Sequence, residues 1–219
     1  MGLLGGTFNP IHLGHLRGAE EIRESFGLER VVFIPAAIPP HKEMEGIVNA
    51  SHRLEMVQLA TRANPWFSFS DIELKRSGKS YSVDTIRYFR EIHPGPLYFI
   101  LGGDAFFEIE TWMDFQNLFS LCHFIVMTRP GSQRSGEILE LPKSLVPLFR
   151  YDPGARAWIH VSGNRLHLKG ITYLDISSTQ IRGLVGRGES IRYLLPAEVE
   201  AYIEKESLYR KGGRRAGRS

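Results

Sequence analysis

The sequence predicts an α/β protein built on a doubly wound parallel sheet. Short apolar runs near residues 1, 31, 67, 97 and 123 recur at intervals of about thirty residues, and between them lie segments whose apolar residues are spaced by three and four. Strands and helices therefore alternate. Three polar loops, G-G-T at 5–7, P-P-H-K at 39–42 and G-G-D at 102–104, each lie just beyond such a run. In a parallel sheet that places them together at the carboxyl ends of the strands, where ligands bind.

Leu3 and Leu4 form the first strand, and Gly5 and Gly6 turn the backbone sharply. Leu16, Ala19, Ile22 and Phe26, with charged residues between them, predict a first helix that ends at Gly27. Residues 31–34 read as a short buried strand stopped by Pro35. Ser51 caps a second helix through Leu54, Val57 and Ala60; residues 67–74 alternate as a strand with mixed faces; Ser82 caps a third helix bearing Val83, Ile86 and Phe89. A buried strand at 97–101 is followed by helical material with Trp112, Phe115, Leu118 and Phe119, and then by a strand at 123–127. Residues 131–157 are rich in Pro, Gly and Ser and read as irregular, with a short helix near Leu145. Runs at 158–161 and 166–168 flank S-G-N and predict a hairpin. A last strand is expected at 171–176, then a helix with Ile181, Leu184 and Val185 capped by S-S-T at 177–179, and a final helix started by Pro196.

This pattern is read as one domain over 1–209: a sheet core to about 130, a variable segment over about 131–170, and a distal motif with C-terminal helices over 171–209. Residues 210–219 are read as a basic tail expected to be disordered. The chain of 219 residues carries 42% hydrophobic and 23% charged residues, ordinary for a soluble globular protein. No apolar run approaches the roughly 20 residues needed to span a bilayer, and the N-terminus does not read as a signal peptide. A cytoplasmic location is expected. The single cysteine, Cys122, excludes an internal disulfide and a thiolate zinc cluster and reads as a small buried hydrophobe. The net charge of +3 comes from the tail, whose five basic residues removed leave 22 basic against 24 acidic. A near-neutral body argues against a specific nucleic-acid binder.

Three common signatures fail. The opening loop is not G-x-G-x-x-G; G-K-S at 78–80 lacks the earlier glycine of a P-loop, where Glu73 stands; the two histidines lack the glutamate and third ligand of a zinc site. What remains suits phosphate. A strand, a glycine loop and a helix start bring backbone N–H groups and a helix dipole to one point, although Gly-Gly can also be an ordinary turn. His12 and His15 lie one helical turn apart there, able to donate to phosphate oxygens, and Thr7 adds a donor. Far along the chain, Ser178, Thr179 and Arg182 make a second helix N-terminus of hydroxyls and a guanidinium. Two such ends suit a long polyphosphate such as that of ATP.

The stretches G-G-T-F-N-P-I-H-L-G-H over 5–15 and I-S-S-T-Q-I-R over 176–182 resemble the H-x-G-H and I-S-S-T-x-I-R motifs of the nucleotidyltransferase superfamily. With P-P-H-K, G-G-D and T-W at 111–112, the chain is similar, from about residue 2 to Tyr209, to the bacterial nicotinate-nucleotide adenylyltransferases. One departure is A-A at 36–37, where a polar residue is expected. The resemblance implies a Rossmann-like sheet with a small C-terminal helical segment. It also implies the reaction of ATP with nicotinate mononucleotide to give nicotinate adenine dinucleotide and pyrophosphate, in NAD biosynthesis. His15 is then expected at the α-phosphate, His12 at a positioning site, and Ser178, Thr179 and Arg182 at the β and γ phosphates. Gly6, Thr7, Phe8, Asp104 and Ile176 complete the expected ATP site. Lys42, Thr85, Gly103, Trp112 and Arg129 are expected to meet the mononucleotide, with the Trp112 indole facing its pyridinium ring. Mg²⁺ is expected through the ATP phosphates, with no direct side-chain ligand; Asp104 is assigned a metal-bound water or a ribose hydroxyl. The acceptor's own phosphate attacks, so no protein base is required. Rival readings are an adenylyltransferase for nicotinamide mononucleotide or phosphopantetheine, or a non-catalytic nucleotide-binding module. The sequence allows a homo-oligomer without requiring one.

Overall fold

A computed structural model describes residues 1–38, 46–128 and 141–210. One eight-stranded sheet runs through it in the order β3-β2-β1-β4-β5-β8-β7-β6. The strands are β1 (Gly2–Gly6), β2 (Val31–Pro35), β3 (Phe67–Phe69), β4 (Tyr98–Gly102), β5 (His123–Thr128), β6 (Phe149–Asp152), β7 (Ala157–His160) and β8 (Arg165–Gly170). The first five and β8 are parallel, while β6 and β7 add an antiparallel edge. Strand order reverses between β1 and β4, which opens a crevice at their carboxyl ends, and both end in glycine.

The sheet is buried on both faces, as its near-continuous apolar strands require. Leu3, Val32, Ile34, Phe99 and Val126 point into one core; Leu4, Val31, Phe33, Ile100 and Ile125 point into the other. Helices α1 (Leu13–Ser25), α2 (Ala50–Thr61), α3 (Ser82–Ile92), α4 (Gly103–Phe107), α5 (Phe115–Leu121), α6 (Ser178–Arg187) and α7 (Ala197–Lys205) complete the fold. None is long and apolar enough to cross a membrane. Cys122 is 2% exposed and burial pushes its thiol up to about 12, consistent with a small apolar core residue.

Several expectations change in detail. The strand expected over 67–74 stops at Phe69: the Ser70 N–H still donates to the Phe33 carbonyl, but Pro35 at the end of β2 has no N–H to extend the ladder, and the chain then turns and buries Glu73. The strand expected over 171–176 is extended but unpaired. The Ile171 N–H donates to the Thr128 carbonyl, and no strand among the described residues pairs with the segment beyond it. The second helix is capped by Asn49, not Ser51, and Ser82 is the first helical residue rather than the cap. The predicted hairpin forms between β7 and β8, with β6 paired outside it. The short helix expected near Leu145 is a 3-10 turn at Val146–Leu148.

Candidate active site

A cavity of about 1420 Å³ opens at the carboxyl ends of β1 and β4. Its wall contains every residue expected at ATP, namely Gly6, Thr7, Phe8, His12, His15, Asp104, Ile176, Ser178, Thr179 and Arg182, and two expected at the mononucleotide, Gly103 and Trp112. Thr85 is not brought there. It is 1% exposed, its hydroxyl donates to Glu73 Oε1 at 2.7 Å and accepts from Arg76 Nη1 at 2.9 Å. Lys42, with the rest of P-P-H-K, and Arg129 lie outside the described residues, as does the tail beyond Arg210.

The loop between β1 and α1 owes its shape to small residues and one bend. Phe8 has a φ of 48°, and its ring folds back so closely that a Cβ at Gly6 would lie 2.9 Å from it. A side chain at residue 6 would push the ring off His15, which it meets edge-on with centroids 5.2 Å apart. His12 caps α1 and His15 is its third residue; the His12 backbone N–H donates to His15 Nδ1 at 3.2 Å. An Nδ1 that accepts leaves the neutral ring's proton on Nε2, so His15 presents a donor on its far side. The two imidazoles stack with centroids 3.7 Å apart. Burial brings His12 down to about 4, so it is neutral at pH 7, and its Nδ1 is buried without a partner. A neutral, desolvated imidazole beside a second ring avoids placing two cations in contact.

Helix α6 starts at a capping box, with the Ser177 hydroxyl accepting from the Gln180 N–H, so the N–H groups of Ser178 and Thr179 have no acceptor within the helix. This helix end is bound to the first loop. Ser178 Oγ donates to the Pro10 carbonyl at 2.8 Å and Arg182 Nη1 to the Asn9 carbonyl at 2.9 Å, while Arg182 Nη2 meets Thr179 Oγ1 at 3.3 Å. Ser178 thus commits its only hydroxyl proton to the loop. The donors left at this end are backbone N–H groups, Thr179 and the remaining guanidinium protons.

Trp112 is half-buried, its indole edge-on to Phe99 at 6.1 Å, with the exposed Met113 beside it on the cavity wall. The unpaired segment 171–176 forms another wall, tethered where Thr172 N–H donates to Glu21 Oε2 at 2.8 Å. Among the described residues no group of three His, Cys, Asp or Glu side chains gathers as a metal site.

Sequence reasoning missed the residues behind the site. Arg53 is fully buried and donates to the carbonyls of Thr7, Ala37 and Val48 at 2.8, 2.9 and 3.1 Å. One signal was present, since Arg53 stands four residues before Val57 on the apolar face of its helix. Glu73, 7% exposed, is held above the usual carboxylate range by burial, against the pull of its bonds from Thr85 and Ser80. Asn9, 3% exposed, is bonded through its side chain to two distant segments, at Gly46 and Val48 and at Tyr209, and nothing in the sequence marks it for that role.

Comparison with known proteins agrees with this geometry. The family model described as cytidylyltransferase-like matches residues 3–184. A protein of Pelobacter propionicus named "Probable nicotinate-nucleotide adenylyltransferase" is 49% identical over 210 residues, 95% of this chain and 97% of that protein. One of Geobacter sulfurreducens with the same name is 48% identical over 97% of this chain and 99% of its own length. The structure titled Plasmodium falciparum nicotinic acid mononucleotide adenylyltransferase complexed with NaAD superposes with a TM-score of 0.70 over 95% of this chain and 96% of that one, at 19% identity, a likeness of fold. A doubly wound sheet, a two-histidine loop and near-full-length identity of almost half thus point the same way, and the chain belongs to the nicotinate-nucleotide adenylyltransferases of the cytidylyltransferase-like family.

Proposed function

We propose that the protein transfers the adenylyl group of ATP to nicotinate mononucleotide, giving nicotinate adenine dinucleotide and pyrophosphate. One observation carries the reading: the imidazole pair at the head of α1 and the hydroxyl-guanidinium head of α6 face one cavity and are bonded to each other through the loop carbonyls of Asn9 and Pro10. Two helix N-termini at one place form an electrostatic seat for a polyphosphate chain.

An oxygen of the mononucleotide phosphate attacks the α-phosphorus, the bond to the bridging oxygen of the β-phosphate breaks, and pyrophosphate leaves. That nucleophile is already largely dianionic at neutral pH, since a phosphate monoester's second pKa is near 6, so no protein group needs to take a proton. The residues align the partners and hold developing charge. His15 donates from Nε2 to the α-phosphate, a tautomer its bond from the His12 N–H enforces. Neutral His12 supports the same oxygens. The head of α6, Thr179 and Arg182 hold the departing β and γ phosphates. ATP arrives as its Mg²⁺ complex, the ion being part of that substrate, and the Asp104 carboxylate on the cavity wall would hold a water of the ion or a ribose hydroxyl. Trp112 faces the pyridinium ring, where stacking and cation-π attraction contribute roughly 0.5–2 kcal/mol.

Pyrophosphate release measured with ATP and, separately, nicotinate mononucleotide, nicotinamide mononucleotide and phosphopantetheine tests the reading. Release is expected with the nicotinate form. Release with phosphopantetheine alone, or with none of the three, would overturn it.

A further inference from the structure

The bend between β1 and α1 is held from outside. Phe8 sits in the left-handed region, a conformation that costs a non-glycine residue free energy and persists only where its surroundings impose it. Three remote side chains grip the residues on either side of it. Arg53 donates to the Thr7 carbonyl and Arg182 to the Asn9 carbonyl. The third is Tyr209, whose hydroxyl donates to Asn9 Oδ1 at 2.9 Å across 200 residues of sequence.

Asn9 is the knot. Its Oδ1 also accepts from the Val48 N–H at 3.3 Å, and its Nδ2 donates to the Gly46 carbonyl at 2.9 Å. Its own backbone carbonyl is the one that Arg182 holds. The turn after α7 takes up strain to reach this point, with Ser207 and Tyr209 both left-handed, at φ of 53° and 64°. Burial pushes the Tyr209 phenol up, against the opposing pull of the Arg182 and Arg53 guanidiniums, so at neutral pH it keeps its proton and acts as a donor. Tyr209 is not among the residues lining the cavity, whereas Asn9, which its hydroxyl holds, is.

We propose that Tyr209 is a positioning residue for adenylyl transfer, its hydroxyl fixing Asn9 and thereby the carbonyl that orients Arg182 toward the polyphosphate. The proposal rests on the function stated above. Without the hydroxyl, Asn9 Oδ1 keeps a single donor, the peptide between Asn9 and Pro10 gains freedom, and the guanidinium follows it. The consequence is felt at the ATP phosphates and not at the pyridine end, which Trp112 walls on the far side of the crevice.

The test is Y209F in the full chain, which keeps the ring and its packing. The expected result is a three- to tenfold lower kcat/KM for ATP, about what loss of one neutral hydrogen bond amounts to, with KM for nicotinate mononucleotide unchanged. Because both side chains act on the placement of one residue, Y209F should add little to the defect of R182K. Wild-type ATP kinetics in Y209F, or a Y209F effect that multiplies fully with that of R182K, would overturn the proposal. If the wild-type chain makes no dinucleotide, the functional reading fails instead. Affinity for a non-hydrolysable ATP analogue then still decides the role of Tyr209: weaker binding by Y209F supports it and equal binding overturns it.

Discussion

Gly14 stands at the second position of α1, and the ring of His12 lies over it. A Cβ built there would meet His12 Cε1 and Nδ1 at 3.1 Å and the Ile176 carbonyl oxygen at 3.8 Å. Its backbone is ordinary right-handed helix, so alanine fits the conformation and should favour the helix by about 0.5–1 kcal/mol. The cost falls on the imidazole, which must yield by a few tenths of an ångström while its neighbour His15 is stacked against it at 3.7 Å. A displacement of 1 Å in a catalytic constellation costs about a hundredfold, so a few tenths should cost roughly four- to tenfold. Gly14→Ala is therefore expected to melt at or above the wild-type temperature and to turn over four- to tenfold more slowly, read by pyrophosphate release at saturating substrates beside a thermal melt. Undiminished turnover would refute the role of the imidazole pair. A loss of activity that tracks a fall in Tm would show general damage instead.

Other consequences are equally direct. His15→Ala should lower turnover by roughly 10² to 10³ with circular dichroism unchanged, since it removes the donor assigned to the α-phosphate; near-normal turnover would take His15 out of the mechanism. Arg53→Met leaves three half-buried carbonyls without their donor and should cost about 2–4 kcal/mol in urea unfolding; a cost below about 1 kcal/mol would mean that those carbonyls find other partners. His12 falls from 6.5 to about 4 on folding, so between those values the unfolded chain binds the extra proton. Above pH 6.5 the ring is neutral in both states and burial carries no charge penalty; as pH falls toward 4 the unfolded chain gains a proton that the folded one resists, lowering stability by on the order of 3 kcal/mol, and His167 shifts the same way. Unfolding free energy should drop over that window, less steeply in His12→Gln; equal slopes would place the acid sensitivity elsewhere.

Much of the site is legible in the sequence because its chemistry is local. His12 and His15 belong to one turn, and Ser178, Thr179 and Arg182 to another, so spacing alone sets each group's internal geometry. The parallel sheet follows from alternation, since a buried parallel strand has to be apolar throughout. What was not legible depends on contacts distant in sequence. Thr85 has the composition of a ligand and the position of a network member, a difference set by Glu73 and Arg76 folding back onto it. The segment 171–176 has a strand's composition, yet it joins no strand among the described residues and walls the cavity instead. Ser178 lies on the cavity wall at the head of α6, and spacing alone does not reveal that its hydroxyl proton goes to the Pro10 carbonyl. Asn9 and Tyr209 are ordinary residues individually, and only their meeting gives them a part.

The central claim is that one phosphate displaces another at the α-phosphorus of ATP, with the loop of His12 and His15 holding the charge. Incubating the protein with nicotinate mononucleotide and ATP labelled at its α-phosphate measures this directly. The account predicts that all consumed label appears in nicotinate adenine dinucleotide, with one pyrophosphate formed for each dinucleotide. Label recovered as ADP or as AMP, with no dinucleotide, would contradict it.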